Sequence, residues 1–200
     1  PDMVAGSGDT AGAVIDPDMV ALYDKFQRRE LFVPAAGVMP TRELLPPMSH
    51  YQVRDTQQRG LCLRDGLLVA ASLQGANADQ EEFISIVLNW HLARQRSCHS
   101  VGLRSPIILG IRGGTRALSC GTGPEPQLHL EDVWLPELSS GDKDRAKPFT
   151  FYKTYGGSTH TFEAAAFPGL FLSTGPGEAL GEVLALAPAP AATAFHLVRK

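Results

Sequence analysis

The sequence predicts an all-β protein, a β-trefoil of about twelve short strands in three cycles of roughly 50 residues each, behind a poorly ordered leader. Three observations lead there. From Met48 onward apolar residues recur with period two, Gly- and Pro-rich turns cut the chain into short runs, and the runs echo one another. In the echo, Ser105-Pro106-Ile107-Ile108-Leu109, a Gly113-Gly114 turn and Arg116-Ala117-Leu118-Ser119-Cys120 parallel Lys147-Pro148-Phe149-Thr150-Phe151, a Gly156-Gly157 turn and His160-Thr161-Phe162. No such unit buries its apolar face alone. Three of them closed around a pseudo-threefold axis hide the strand edges and pool Leu63, Leu109, Leu118, Leu130, Phe151, Leu172 and Phe195. On periodicity alone an ordinary β-sandwich competes with this arrangement.

Two units of organisation are expected, a flexible leader or propeptide over residues 1–47 and the β domain over residues 48–200. Pro, Gly, Asp and small residues dominate the leader, and the pentad Pro-Asp-Met-Val-Ala occurs at 1–5 and again at 17–21. Such composition buries too little apolar surface to offset the entropy of ordering the backbone. Residues 20–33 are the exception: Leu22, Tyr23, Phe26 and Leu31 alternate with Lys25, Arg28 and Arg29 as in a short amphipathic helix, read as transient. Pro34, Pro40, Pro46 and Pro47 keep the connection extended.

In the β domain, Tyr51 and Val53 alternate with Gln52 and Arg54, and Leu61 and Leu63 run up to Asp65-Gly66, a hairpin turn signal, with residues 67–70 beyond it. Residues 83–88 form a fourth strand, and residues 89–105, bearing Arg94, Arg96 and Arg104, read as a solvated loop. The second cycle places strands at 106–112, 116–120 and 127–131, with one helical turn at 135–139. The third takes strands at 148–153, 159–165, 169–173, 182–186 and 193–198. Inside it Pro168-Gly169 turns an apolar run within two residues, because Pro168 pre-sets φ and Gly169 admits a positive φ.

Composition restricts the function. The 200 residues, 44% of them hydrophobic, suffice for one cored domain and an appendage. A formal charge of -3 and a pI near 6.1 give no electrostatic case for nucleic acid or an anionic membrane, which leaves proteins or small molecules as partners. Cys62, Cys98 and Cys120 are odd in number and widely spaced, so neither a disulfide framework nor a zinc ribbon is indicated. No apolar run approaches the roughly 20 residues of a membrane span. The chain opens on Pro1 rather than Met, which leaves an upstream signal peptide open.

No catalytic constellation, cofactor or metal is expected. His91, Cys98 and His99 lack ligand spacing, and Asp142 and Asp144 in Gly141-Asp-Lys-Asp-Arg lack the remaining ligands of a calcium loop. The Gly-rich runs at 6–12 and 110–114 lack the Lys-Ser/Thr of a phosphate cradle and read as turns. Trp90, Trp134 and Tyr155 either close core edges or anchor a partner. Without a reaction site, surface recognition remains.

Residues 162–174, Phe-Glu-Ala-Ala-Ala-Phe-Pro-Gly-Leu-Phe-Leu-Ser-Thr, resemble the interleukin-1 family signature, with Ala164 where Ser is commoner and Leu170 where Trp is commoner. Pro148–Tyr152, Ile108–Gly114 and Leu128–Glu131 agree with it, and the similarity covers roughly residues 50–200. The match is nearest the receptor-antagonist branch, shared by the interleukin-1 and interleukin-36 receptor antagonists, through Leu73-Gln74-Gly75-Ala76-Asn77, Glu81-Glu82, Gly113-Gly114 and Leu118-Ser119-Cys120-Gly121. The resemblance implies a β-trefoil that binds the ectodomain of an interleukin-1 or interleukin-36 type receptor as a monomer. It also implies secretion, by a non-classical route from a cytoplasmic precursor.

Carried over residue by residue, the family's receptor contacts fall on Arg54, Gln58, Ser72, Gln74 and His196. Gln58 and Gln74 keep the family residue, whereas Arg54 replaces Trp, and Ser72 and His196 replace Tyr. Ala194 carries neither the Lys of the interleukin-1 antagonist nor the Asp of an agonist. The expectation is therefore a competitive antagonist that modulates inflammatory signalling. The alternative is an interleukin-36 type agonist trimmed upstream of Val53-Arg54-Asp55, between Glu43 and Leu44. Outside the family, the fold also hosts protease inhibitors and lectins, although no Gln-x-Trp box recurs here, and growth factors whose heparin surface this charge disfavours.

Overall fold

The computed structural model describes residues 12–31, 46–175, 182–189 and 192–200. Its strands fall into three four-stranded units. The first is β1 (Ser49–Asp55), β2 (Gly60–Arg64), β3 (Leu67–Ala71) and β4 (Ile84–Leu88). The second is β5 (Ser105–Ile111), β6 (Arg116–Ser119), β7 (His129–Glu131) and β8 (Thr150–Tyr155). The third is β9 (His160–Ala164), β10 (Leu170–Ser173), β12 (Ala185–Pro188) and β13 (Phe195–Arg199), and the two-residue β11 (Glu182–Val183) joins the edge of β3.

The first and last strand of each unit form the wall of a closed barrel. Antiparallel pairing runs β1–β4–β5–β8–β9–β13 and returns to β1, so these six strands have no free edge. The inner pairs β2–β3, β6–β7 and β10–β12 form the three hairpins of a β-trefoil. Period-two alternation is plainest in β1, where Ser49, Tyr51, Val53 and Asp55 face inward. The turn between β2 and β3 has positive φ at both Asp65 (52°) and Gly66 (79°), which matches the right-handed twist of a two-residue hairpin. One core joins Leu109, Leu118, Phe151, Leu172 and Phe195, with Leu63 and Leu130 half-buried against it.

Three expectations need correction. The echo between residues 105–120 and 147–162 relates β5 to β8, which are antiparallel neighbours rather than equivalent positions, since Ile107 faces Phe151 across the ladder. Both strands are barrel wall within one unit, and that shared burial explains their common apolar pattern. Residues 89–105 are not a plain loop. They carry α2 (Trp90–Ala93) and α3 (Cys98–Leu103), capped by Asn89 and Ser97 side chains that accept from Leu92 N at 3.2 Å and Ser100 N at 3.1 Å.

The third correction concerns the helix read as transient. Pro17–Leu31 forms α1, whose Met19, Leu22, Tyr23 and Phe26 lie in the same core as the barrel rather than in a transient helix. Their spacing puts all four on one helical face, and a buried face of that size needs a partner. That partner is Trp90, which stacks on Phe26 and meets Tyr23 edge-on. The helical turn expected at residues 135–139 is α4 (Leu135–Ser139), followed by α5 (Lys143–Ala146). All three cysteines are free thiols; Cys62 and Cys120 are buried, Cys98 is half-buried, and burial pushes the Cys120 thiol up to about 12.

Candidate functional site

The β1–β13 ladder places Arg54 directly opposite His196. Both side chains are half-buried on the outer face of the ribbon, away from inward-facing Val53 and Phe195. Arg54 is held by a fork to Glu81, with Nη1 on Oε2 and Nη2 on Oε1 at 3.2 Å, while Gln52 Nε2 donates to the same Oε1 at 3.3 Å. Nη1 also donates to the Val53 carbonyl at 2.9 Å. The guanidinium is thus fixed against its own strand.

Gly60 makes room for this arrangement. A Cβ there would lie 2.5 Å from Leu73 Cδ1 and 2.7 Å from Arg54 Nη1, so Leu73 and Arg54 both lie over the bare backbone of β2. Exposed Ser72 and Gln74 flank half-buried Leu73. The fold therefore gathers Arg54, His196, Ser72 and Gln74 around one end of β1.

Gln58 stands on the turn after β1, exposed and at φ 65°. Buried Asp55 builds that turn. Its Oδ1 accepts from Gln57 N at 3.0 Å and Arg59 N at 2.8 Å, and its Oδ2 accepts from Arg59 Nε at 2.8 Å and Thr174 Oγ1 at 2.9 Å. Arg59 Nη2 continues to the Gly175 carbonyl at 2.7 Å, which ties the turn to the end of β10. An exposed amide on so fixed a base is suited to recognition.

Beside the Arg54–Glu81 pair, a groove of about 760 Å³ runs past His50, Glu82, Phe83, Arg112 and Lys200. Arg112 Nε and Nη2 reach the Glu82 carboxylate at 2.9 and 2.7 Å, Lys200 Nζ sits 4.8 Å above the Phe83 ring, and His50 Nδ1 lies 2.8 Å from Ser85 Oγ. Sequence reading assigned none of these residues to a site. Pairing Glu82 with a residue 30 positions away takes the β4–β5 register, which no local pattern announces.

The other candidates resolve structurally. Asp142 caps α5, accepting from Asp144 N at 2.7 Å and Arg145 N at 3.3 Å. Among the described residues no three His, Cys, Asp or Glu side chains converge as metal ligands, so His91, Cys98 and His99 stay dispersed over α2 and α3. Trp90 is core, Tyr155 stacks on His160 at 4.5 Å, and Trp134 stays 39% exposed. Glu43 and Leu44 lie outside the described residues.

Comparisons with known proteins bear on the family and the fold. The family model described as "Interleukin-1 / 18" matches residues 73–189. The chain is 40% identical over 126 residues to the human interleukin-36 receptor antagonist protein, covering 63% of this chain and 76% of that one. It is 37% identical over 145 residues to the mouse interleukin-1 receptor antagonist protein, covering 72% and 74%. The solved structure of chicken interleukin-1 beta superposes with a TM-score of 0.61 at 26% identity, covering 76% of this chain and 97% of the other. With a matching family model, such relatives and a three-unit barrel of the same fold, this chain belongs to the interleukin-1 family.

Proposed function

We propose that this protein is an extracellular, monomeric ligand of an interleukin-1 or interleukin-36 type receptor, and that it occupies the receptor as a competitive antagonist. The observation that carries this reading is its 40% and 37% identity to two proteins named as receptor antagonists. The surface around Arg54, Gln58, Ser72, Gln74 and His196 supports it. Glu81 holds Arg54, and Gln58 stands on the turn that Asp55 builds, so these two meet a partner with little further ordering.

Arg54, Ser72 and His196 stand where the interleukin-1 antagonist carries Trp and Tyr, and aromatic anchors are the usual carriers of interface energy. Their loss favours the interleukin-36 type receptor. The test is a signalling reporter in receptor-bearing cells given the recombinant protein. Silence alone, with suppression of a co-applied agonist, is expected; NF-κB induction by the protein alone would overturn antagonism.

A further inference from the structure

Helix α1 is seated on the trefoil as a ligand is seated in its site. Met19 and Phe26 are fully buried, Leu22 and Tyr23 nearly so. Phe26 stacks on Trp90 at 5.4 Å between centroids, Tyr23 meets the same ring at 5.3 Å, and Tyr23 Oη donates to the Arg96 carbonyl at 2.8 Å. At Gly102 of α3 a Cβ would lie 3.0 Å from Val20 and 3.2 Å from Ile15, so the α3 backbone itself is part of the seat.

The N-terminal end of the helix is held by charge. Asp16 Oδ1 accepts from Asp18 N at 3.1 Å and Met19 N at 3.4 Å as a cap, while Oδ2 pairs with Nζ of Lys153 on β8. The Lys153 side chain is 1% exposed and that of Asp16 4%, so this is a pair closed off from solvent. Val14 N donates to the Tyr155 carbonyl at 2.9 Å, Asp16 N to the Gly102 carbonyl at 3.0 Å, and Tyr51 Oη to Asp18 Oδ2 at 2.9 Å. Lys25, Gln27 and Arg28 point outward.

From these contacts we infer that residues 12–31 bind the trefoil without needing their covalent link to it: cleavage anywhere in residues 32–45 leaves α1 in place as a separate chain. Departure of the helix would take the Asp16 carboxylate from Lys153 and open the face of Trp90 to water, and both effects oppose release. Trimming between Glu43 and Leu44 therefore yields a two-chain complex, with a new terminus at Leu44 and the Trp90 face still covered. The inference is independent of the receptor reading.

The experiment uses the full chain with a site-specific protease sequence substituted within residues 35–41. After folding and cutting, gel filtration and native mass spectrometry are expected to show the N-terminal fragment travelling with the body at low micromolar concentration. Free fragment and bare body would overturn the inference. In the cut protein, Phe26→Ala and Asp16→Asn should each release the fragment at least tenfold faster, and outward-facing Lys25→Ala should not. Rapid release from all three, Lys25→Ala included, would equally refute it. If Phe26→Ala fails to fold, Asp16→Asn, which keeps side-chain size, decides the matter.

Discussion

The Arg59 guanidinium and the Asp55 carboxylate meet at 2.8 Å across a turn that leaves Gln58 in solvent while both partners stay buried, at 6% and 3% side-chain exposure. A candidate recognition residue is thus carried by a closed ionic network. Removing one partner of a buried pair leaves an uncompensated charge, at a cost of about 3–5 kcal/mol. Arg59→Met should therefore lower stability by that order in urea unfolding, and Asp55→Asn by less because it keeps part of the hydrogen bonding. A loss below about 1 kcal/mol in Arg59→Met would show that the network contributes little.

Introducing aromatic residues at positions 72 and 196 should redirect the partner. Ser72→Tyr and His196→Tyr together are expected to raise affinity for an interleukin-1 type receptor ectodomain at least about tenfold, since single aromatic anchors commonly contribute about 2 kcal/mol or more. Surface plasmon resonance against both receptor types reads this directly. Unchanged ratios would remove these two positions from the interface.

Acid should weaken the fold through His160. Burial, with Lys153 and His196 assisting and Asp18 opposing, pushes its pKa from 6.5 down to about 3. The unfolded chain takes up a proton as pH falls through 6.5, whereas the folded one does so only near 3, so this residue's contribution declines across that window and is constant above it. His160→Phe, which retains a ring on Tyr155, should show a shallower loss of urea midpoint between pH 7 and pH 4.5. Parallel curves for variant and parent would exclude His160 as the source.

Gly110 lies in β5 where a Cβ would stand 2.2 Å from the Arg116 carbonyl oxygen and 2.8 Å from Leu135 Cδ1. The first obstacle is backbone, which cannot swing aside as a side-chain tip does. Gly110→Ala is expected to cost about 1–3 kcal/mol by forcing β5 from β6. Thermal unfolding is the measurement, and a midpoint within a degree of the parent would contradict the contact.

Local signals in this sequence were legible and distant ones were not. Asp65-Gly66 announces its turn because two adjacent residues settle the backbone there, and the alternation of Tyr51 and Val53 announces β1 for the same reason. The docking of α1 has no such local source. Its apolar face is visible in Leu22, Tyr23 and Phe26, but Trp90 lies far along the chain, and Lys153 within β8 looks like an ordinary solvent-facing charge until Asp16 is set beside it. Asn89 and Ser97 cap α2 and α3, yet the arginines of that stretch suggest a solvated loop. At the candidate surface the family resemblance supplied Arg54 and His196. The Glu81 fork and the Glu82–Arg112 pair emerge only from folding.

The placement of the thiols governs how the molecule ages in an oxidising medium. Cys62, in the small cluster under the β2–β3 hairpin, and Cys120, in the main core, are shut away at 0% exposure, so oxidants and small disulfides reach them only when the fold opens around them. Cys98, half-buried at the start of α3, is the thiol that a passing oxidant meets first, which confines thiol oxidation in the native state to the edge of the helical face.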